Sequence, residues 1–574
     1  MLNFFSIVFS CTFTRILLGL LLLALRLPVT AQAPAWQSAR VVAATAAAAG
    51  NSSSVSATIV DAAGNVYLAG SFRNSVVLGG TTLTSLGDRD VFVAKFSPVS
   101  NQFVWAQRAG GTGSDYAAAL AVSGTSVYVA GSFSGAPASF GTTVLSNAGR
   151  TDAFVAKLVD VGPTGSFAWA LRAGGAEFEN ATALAVSGSG VYVGGHFSSP
   201  TVGFGATNLT STGSYDVFVA KLTDTGTSGG FAWVQRAGGT DADFVSALTV
   251  SGSVVYVAGD FYGSTSGFGP TTLINAAASA SAGSSDVFVA KLFDVGSSGN
   301  FAWAERAGGL SFDYAYALAV SGTGVYLAGS FSSAIASFGA TVLSNAGGED
   351  VFVVKLTDAG PTGSFVWAQR AGGAGNDAAT ALAVSGSGVY VAGAFSGPAA
   401  SFGANSLASA GDFDVFAAKL IDAGGTGSFA WAQRAGGTSR DIAYALLLNG
   451  TSVYVAGFFA SPTADFGAIT LANANPNNSL GFLAALTDPT LTATTASRAL
   501  ASAQLFPNPA HRTATLRLPV GTPIAPLTLT DALGRAVRCY PAPAAPETAL
   551  DLSGLPAGLY LLRGAGPAQR LAVE

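Results

Sequence analysis

The stretch "DVFVAKLTDTGTSGGFAWVQRAGG" at residues 216–239 returns almost unchanged at 286–309, 350–373 and 414–437. Self-similarity at a fixed period means that one supersecondary unit is built repeatedly and buries its apolar surface against its own copies. All seven tryptophans, Trp36, Trp105, Trp169, Trp233, Trp303, Trp367 and Trp431, stand in similar contexts, separated by 69, 64, 64, 70, 64 and 64 residues. The chain therefore reads as seven units.

Four apolar segments recur in each unit, bounded by Gly, Ser, Asp or Thr: "ALAVSG", "VYVAGSF", "DVFVAKL" and "FAWAQRAGG". Runs this short and this apolar read as strands covered on both faces. "SGTS" and "SGSG" between the first two are hairpin turns, Gly supplying the positive φ such turns require. Seven units of four segments predict an all-β fold of 28 strands. The expected architecture is a seven-bladed β-propeller of four-stranded antiparallel blades over residues 32–488. A solenoid of the same unit is the alternative, but it needs polar end caps, and none is evident. The chain opens on a solitary fourth segment, "AWQSARVV", and the last unit ends on a third, "GFLAALTD". Pairing the two would close the last blade with the N-terminal strand and remove the open edge.

These segments resemble the SBBP (seven-bladed β-propeller) repeats of bacterial surface and secreted proteins, "IVDAAGNVYLAGSF" of the first unit matching best. That resemblance implies a fold more than an activity. After a Thr/Ala/Ser linker at 489–503 come "LFPNP", "LTDALGRAV" and "LDLSGLPAGLYLLRG". Residues 504–574 thereby resemble the C-terminal sorting domain of type IX secretion cargo, seen in Bacteroidetes, with Arg570 near the end where a lysine is usual. The resemblance implies a small β-sandwich, handling by the type IX secretion machinery, and release from, or attachment to, the outer cell surface.

The first 31 residues fit the same route. "ILLGLLLLAL" follows Arg15 and leads to Val29 and Ala31, the small residues of a signal-peptidase site, so 1–31 reads as a signal peptide. Its removal takes away Arg15 and Arg26 and no acid, leaving 24 basic against 31 acidic residues. Nucleic acid, which demands clustered positive charge, is excluded as a partner. No later apolar run is long enough for a transmembrane helix. Cys539 is the single cysteine left, so stability rests on packing.

Most charges recur with the unit and so are expected to support every blade: the lysines from Lys95 to Lys419, the aspartates from Asp90 to Asp414, and the arginines from Arg108 to Arg434. The lysines are expected to lay their stems on the sheet and keep their ammonium groups in water. A second ring of acids follows each "AGG": Asp115, Glu179, Asp243, Asp313, Asp377 and Asp441. Turn-forming acceptors of backbone N–H bonds are one reading. A Ca²⁺ ring near a central channel is the other, though one carboxylate per loop is few for an ion taking six to eight oxygens. Departures from the repeat mark the remaining candidates. At the variable position of "VYVAG-x-F" stand His196 and Asp260, in adjacent units, with Tyr262 close behind; a binding site or plain solvent-facing variation would each produce them. No cysteine nucleophile, phosphate-cradling loop or metal-ligand spacing appears in the repeats. The expected function is a non-enzymatic binding or adhesion scaffold for a glycan or protein ligand, without a cofactor; a glycosidase or lyase is the alternative, although no pair of acids is singled out for it. The loops are expected to lack the exposed aromatic and Arg anchors of tight interfaces.

Overall fold

The computed structural model describes residues 34–42, 50–277, 283–475, 477–491, 504–506, 509–517, 526–531, 535–543, 547–563 and 569–574. The expected signal peptide and residues 492–503 of the expected linker lie outside them. Every described element is a strand, and no helix is long and apolar enough to cross a membrane. The chain divides into two compact units between residues 493 and 494.

One repeat shows how the larger unit is made. Its first strand, Asp115–Ser123, turns through Gly124 at φ 60° into the second, Ser126–Ser134. The third, Thr151–Asp160, and the fourth, Gly165–Gly174, complete an antiparallel sheet in sequence order. The same four-strand order recurs in seven sheets, the last taking its outer strand, Trp36–Val42, from the chain's start, paired with Leu480–Thr487. Six apolar clusters each draw on two consecutive units, and a seventh joins Leu447, Ala456 and Leu483 of the last to Val55, Leu68 and Phe72 of the first.

Each unit also contains a short hairpin that the four-segment reading misses, such as Ala138–Phe140 with Thr143–Leu145. Its phenylalanine is buried, with Phe140 4.7 Å from Phe154 and 5.8 Å from Phe167 between ring centroids. The hairpin also pairs with the preceding unit's fourth strand, Ala138 opposite Gly111. That contact explains the second glycine of "AGG": a Cβ on Gly111 would lie 2.1 Å from the Pro137 carbonyl oxygen. The hairpin eluded sequence reading because it offers only two apolar anchors, Phe and Leu, in the recurring "F-G-x-x-x-L".

Charges hold consecutive units together. Across six of the seven sheets the lysine stands between a tyrosine and a tryptophan, as Lys157 does between Tyr128 and Trp169. All three donate to one aspartate at the end of the next unit's third strand: Asp224 receives Lys157 Nζ at 2.6 Å, the Tyr128 hydroxyl at 2.6 Å and Trp169 Nε1 at 3.1 Å. Lys–Asp bonds of 2.5–2.9 Å repeat from Asp160 to Asp488 with the tyrosine beside them. The indole joins only at Asp160, Asp224, Asp294 and Asp422, Trp303 and Trp431 Nε1 being buried without a partner among the described residues. The ammonium groups are thus buried and paired rather than in water. The other aspartate series stays within its sheet, Asp152 accepting from Arg172 at 2.9 Å.

The junction between the last and first units lacks both halves of this clamp. Trp36 pairs with Leu486 and Ser38 with Ala485, whereas Trp169 pairs with Lys157. Trp36 therefore occupies the place of Phe167, not of Trp169, and meets Phe466 edge-on at 5.3 Å; the seven tryptophans are not all equivalent. Ser38 and Ala485 stand where Trp and Lys stand elsewhere, and the first unit has Pro98 where the aspartate should be. Arg40 substitutes, bonding to Asn101 and lying 4.3 Å from the Phe96 ring centroid, while Asn449 donates to the Gly64 carbonyl at 2.9 Å.

The second unit has two sheets around one core. Gln504–Phe506, Thr513–Arg517 and Glu547–Asp551 form one; Ala536–Tyr540, Leu527–Thr530, Gly558–Arg563 and Gln569–Val573 form the other. Leu516, Leu529, Leu550, Leu562 and Leu571 fill the space between.

Two measurements test this account. Lys157→Met leaves Asp224 buried without its cation and should cost about 3–5 kcal/mol in urea denaturation; a loss under about 1 kcal/mol would refute the clamp. Burial opposes ionisation of Asp224, Asp294 and Asp488, but their hydrogen bonds from Lys and Tyr win and hold them at about 2. A depressed carboxylate stabilises the fold above its unfolded pKa of about 3.9 and loses that contribution as pH falls toward 2. The thermal midpoint should accordingly fall across that window, and less steeply in Asp224→Asn.

Candidate functional site

Every first strand carries a β-bulge, which in the six units with a ring acid falls three residues after it. The register skips Ala118, Thr182, Ser246, Tyr316, Thr380 and Tyr444, and Ser56 in the first unit. A bulge adds one residue against its partner strand and re-aims a side chain. All seven bulged residues line one cavity of about 770 Å³. Thr182 Oγ1 and Thr380 Oγ1 also donate to the next unit's carbonyls, Val245 at 2.6 Å and Ala443 at 2.7 Å.

Of the ring acids only Asp377 reaches the cavity wall. All six are buried, and each accepts the N–H of the second "AGG" glycine at 2.6–2.8 Å. Burial raises Asp115, Asp313 and Asp377 to about 6 and Asp243 to about 7, the backbone bonds partly opposing it; Glu179 and Asp441 shift the same way. The geometry is that of backbone acceptors in a tight loop. Among the described residues no three His, Cys, Asp or Glu side chains are grouped to hold a metal ion.

His196 and Asp260 are not solvent-facing. His196 lies on the cavity wall, its ring 4.9 Å from Phe244 and 5.7 Å from Tyr215, with Nδ1 buried and unpartnered. Burial pulls it down to about 4, so the imidazole is neutral. Asp260 is 5% exposed and has no hydrogen bond among the described residues; burial, then the charge of Asp243, pushes it up to about 8. Tyr262 meets the Tyr314 hydroxyl at 3.3 Å and lies 6.0 Å from Phe244.

These residues belong to an aromatic arc over the third to fifth units. It runs from Tyr215 through Phe244, Tyr262, Phe312 and Tyr314 to Tyr316, with successive centroids 5.2–6.2 Å apart. Farther round the cavity, Tyr444 lies 5.7 Å from Phe458, and the Arg440 guanidinium 5.4 Å from the centroid of Phe413. Partly exposed aromatics and an Arg are therefore present, contrary to expectation. They occupy variable positions: Phe244, Tyr314 and Ile442 directly follow the acid, and Phe312 and Arg440 directly precede it. The signal was the aromatic in "DFVSAL", "DYAYAL" and "DIAYAL", set in strands otherwise made of small residues.

Residues 504–570 match the secretion system C-terminal sorting domain. A chain with this tail is exported and is secreted or attached to the outer cell surface. A curated relative, the regulatory protein FlaEY of Caulobacter vibrioides, is 28% identical over 439 residues, covering 73% of this chain and 43% of the relative. The chain thus spans less than half of that protein's length. Among solved structures, a protein from Lactobacillus plantarum aligns at 10% identity and TM-score 0.26 over 63% of this chain and 95% of its own. The phage phi92 endosialidase aligns at 8% identity and TM-score 0.34 over 93% of this chain and 87% of its own. Neither likeness is strong enough to carry an assignment.

A raised acid favours the fold while protonated, so Asp260 and Asp243 lose stabilising effect as pH rises from about 4 through their folded values. The thermal midpoint should decline between pH 5 and 9. Asp260→Asn, which keeps the neutral state at every pH, should flatten that decline; an unchanged slope would show that Asp260 ionises freely.

Proposed function

We propose that the chain is an exported, non-enzymatic binding scaffold that seats a glycan in the cavity ringed by the seven bulges. On this reading residues 1–31 are a signal peptide, 32–488 a closed seven-bladed propeller of SBBP type, 489–503 a linker and 504–574 the type IX sorting domain. The continuity of the seven apolar clusters and the pairing of Trp36–Val42 with the last sheet support the closed ring. Thr490 and Leu491 pack with the last sheet, Thr490 Oγ1 accepting from Lys419, so the ordered propeller runs slightly past 488.

The convergence of seven bulged side chains on one cavity carries the functional reading. A structural bulge needs no particular residue, yet these comprise five small or hydroxyl-bearing residues and two tyrosines. Aromatic faces beside scattered hydroxyl and amide groups suit a sugar, whose ring has apolar faces and a polar edge. Both carboxylates lining the cavity are engaged: Asp377 by Gly373 and Ser396 N–H, Glu349 by the Ser330 hydroxyl at 3.1 Å. That favours binding over glycoside cleavage, which needs two available carboxyl groups.

Thermal denaturation of the purified chain against a polysaccharide panel tests this. A ligand at about 100 times its Kd adds about 2.7 kcal/mol, and Tyr444→Ala, exposed and replaceable, should abolish the resulting rise. A flat response throughout, or a rise untouched by Tyr444→Ala and Tyr316→Ala, would sink the assignment.

A further inference from the structure

Arg440 stands apart from the arginines of the repeat. Six of those, from Arg108 to Arg434, each bond an aspartate of their own sheet. Arg440 occupies the position held by Ser114, Phe178, Ala242, Phe312 and Asn376 in other units. It is exposed, lines the cavity and lies over Phe413, and among the described residues it has neither an ion pair nor a side-chain hydrogen bond. Its sequence neighbour Asp441 is buried and turned to the N–H groups of Gly437, Ala460 and Ser461.

We propose that Arg440 makes the cavity selective for saccharides that carry a carboxylate, such as uronic acids. This rests on the cavity being a glycan seat. A guanidinium offers a planar fork of N–H donors matched to a carboxylate. Here it is held against the Phe413 ring beside Tyr444, so one sugar unit would place its ring on an aromatic face and its acid on the fork. The chain's net charge of −5 repels polyanions in general. Selectivity therefore has to come from this local cation, which has no ion pair among the described residues although Glu349 lines the same cavity.

The test is calorimetric titration of the purified full chain with oligomers of galacturonate, glucuronate and mannuronate and with their methyl esters, which keep the ring and lose the charge. At least one acid should bind roughly tenfold more tightly than its ester, and the preference should shrink with added salt. Arg440→Gln should remove the preference and leave the ester's affinity within about twofold, while Arg440→Lys should retain part of it. Because Arg440 is exposed and unpaired, these variants should keep the wild-type thermal midpoint. Equal binding of acid and ester, or a preference that survives Arg440→Gln, would overturn the carboxylate assignment and leave the glycan reading standing. No binding by any member, together with a flat response to neutral polysaccharides, would overturn both.

Discussion

One aspartate accepting from the lysine and the tyrosine of the unit before it is the interaction on which the larger unit depends. A lysine buried between two sheets is expensive unless its charge is met and its protons are bonded. Asp224 and its equivalents do both, taking the phenol of the same row as a further donor and, in four of the six, the indole as well. The clamp also fixes geometry: Tyr, Lys and Trp must be level across one sheet, and the next unit must present its aspartate at that level. The packing of each sheet on its neighbour then follows from register rather than from apolar contact alone. At the last junction the lysine, the tryptophan and the accepting aspartate are absent, only Tyr454 of the row remaining, and Arg40 with Asn101 and Phe96 takes over.

A framework fixed in this way frees other positions to vary. The ring acids and the paired glycines face neighbouring backbone, and the framework arginines pair with aspartates of their own sheet, so their chemistry is used up there. Variation is concentrated where the bulges and the strands' first residues open on the cavity. There the side chains range from alanine to tyrosine, and aromatics gather over the third to fifth units with a second group near Arg440. Repetition thus supplies rigidity, and its local failures supply the chemistry on which the proposed recognition rests.

The strands were legible in the sequence because each is a short apolar run punctuated by Gly and Ser. The outer position of Trp36–Val42 was legible because one segment was spare at the start and one missing at the end. Three things were not. The short hairpin has too few apolar residues to show a period. The lysine's partner lies in another unit, 67 residues away for Lys157 and Asp224, beyond any local pattern. The bulge cannot be read from strand periodicity, because one inserted residue reverses which side chains face inward. His196 and Asp260 were found as departures from the repeat, but their burial could not be inferred from composition.

By itself the sequence determined the repeat, the all-β class and the export tail, because these depend on local residue type and spacing. Tertiary structure alone decided which charges meet, that Trp36 stands in for a phenylalanine, and which seven side chains share one cavity. Each of those depends on register between strands far apart in the chain, and register is set by packing and hydrogen bonding that no single segment contains.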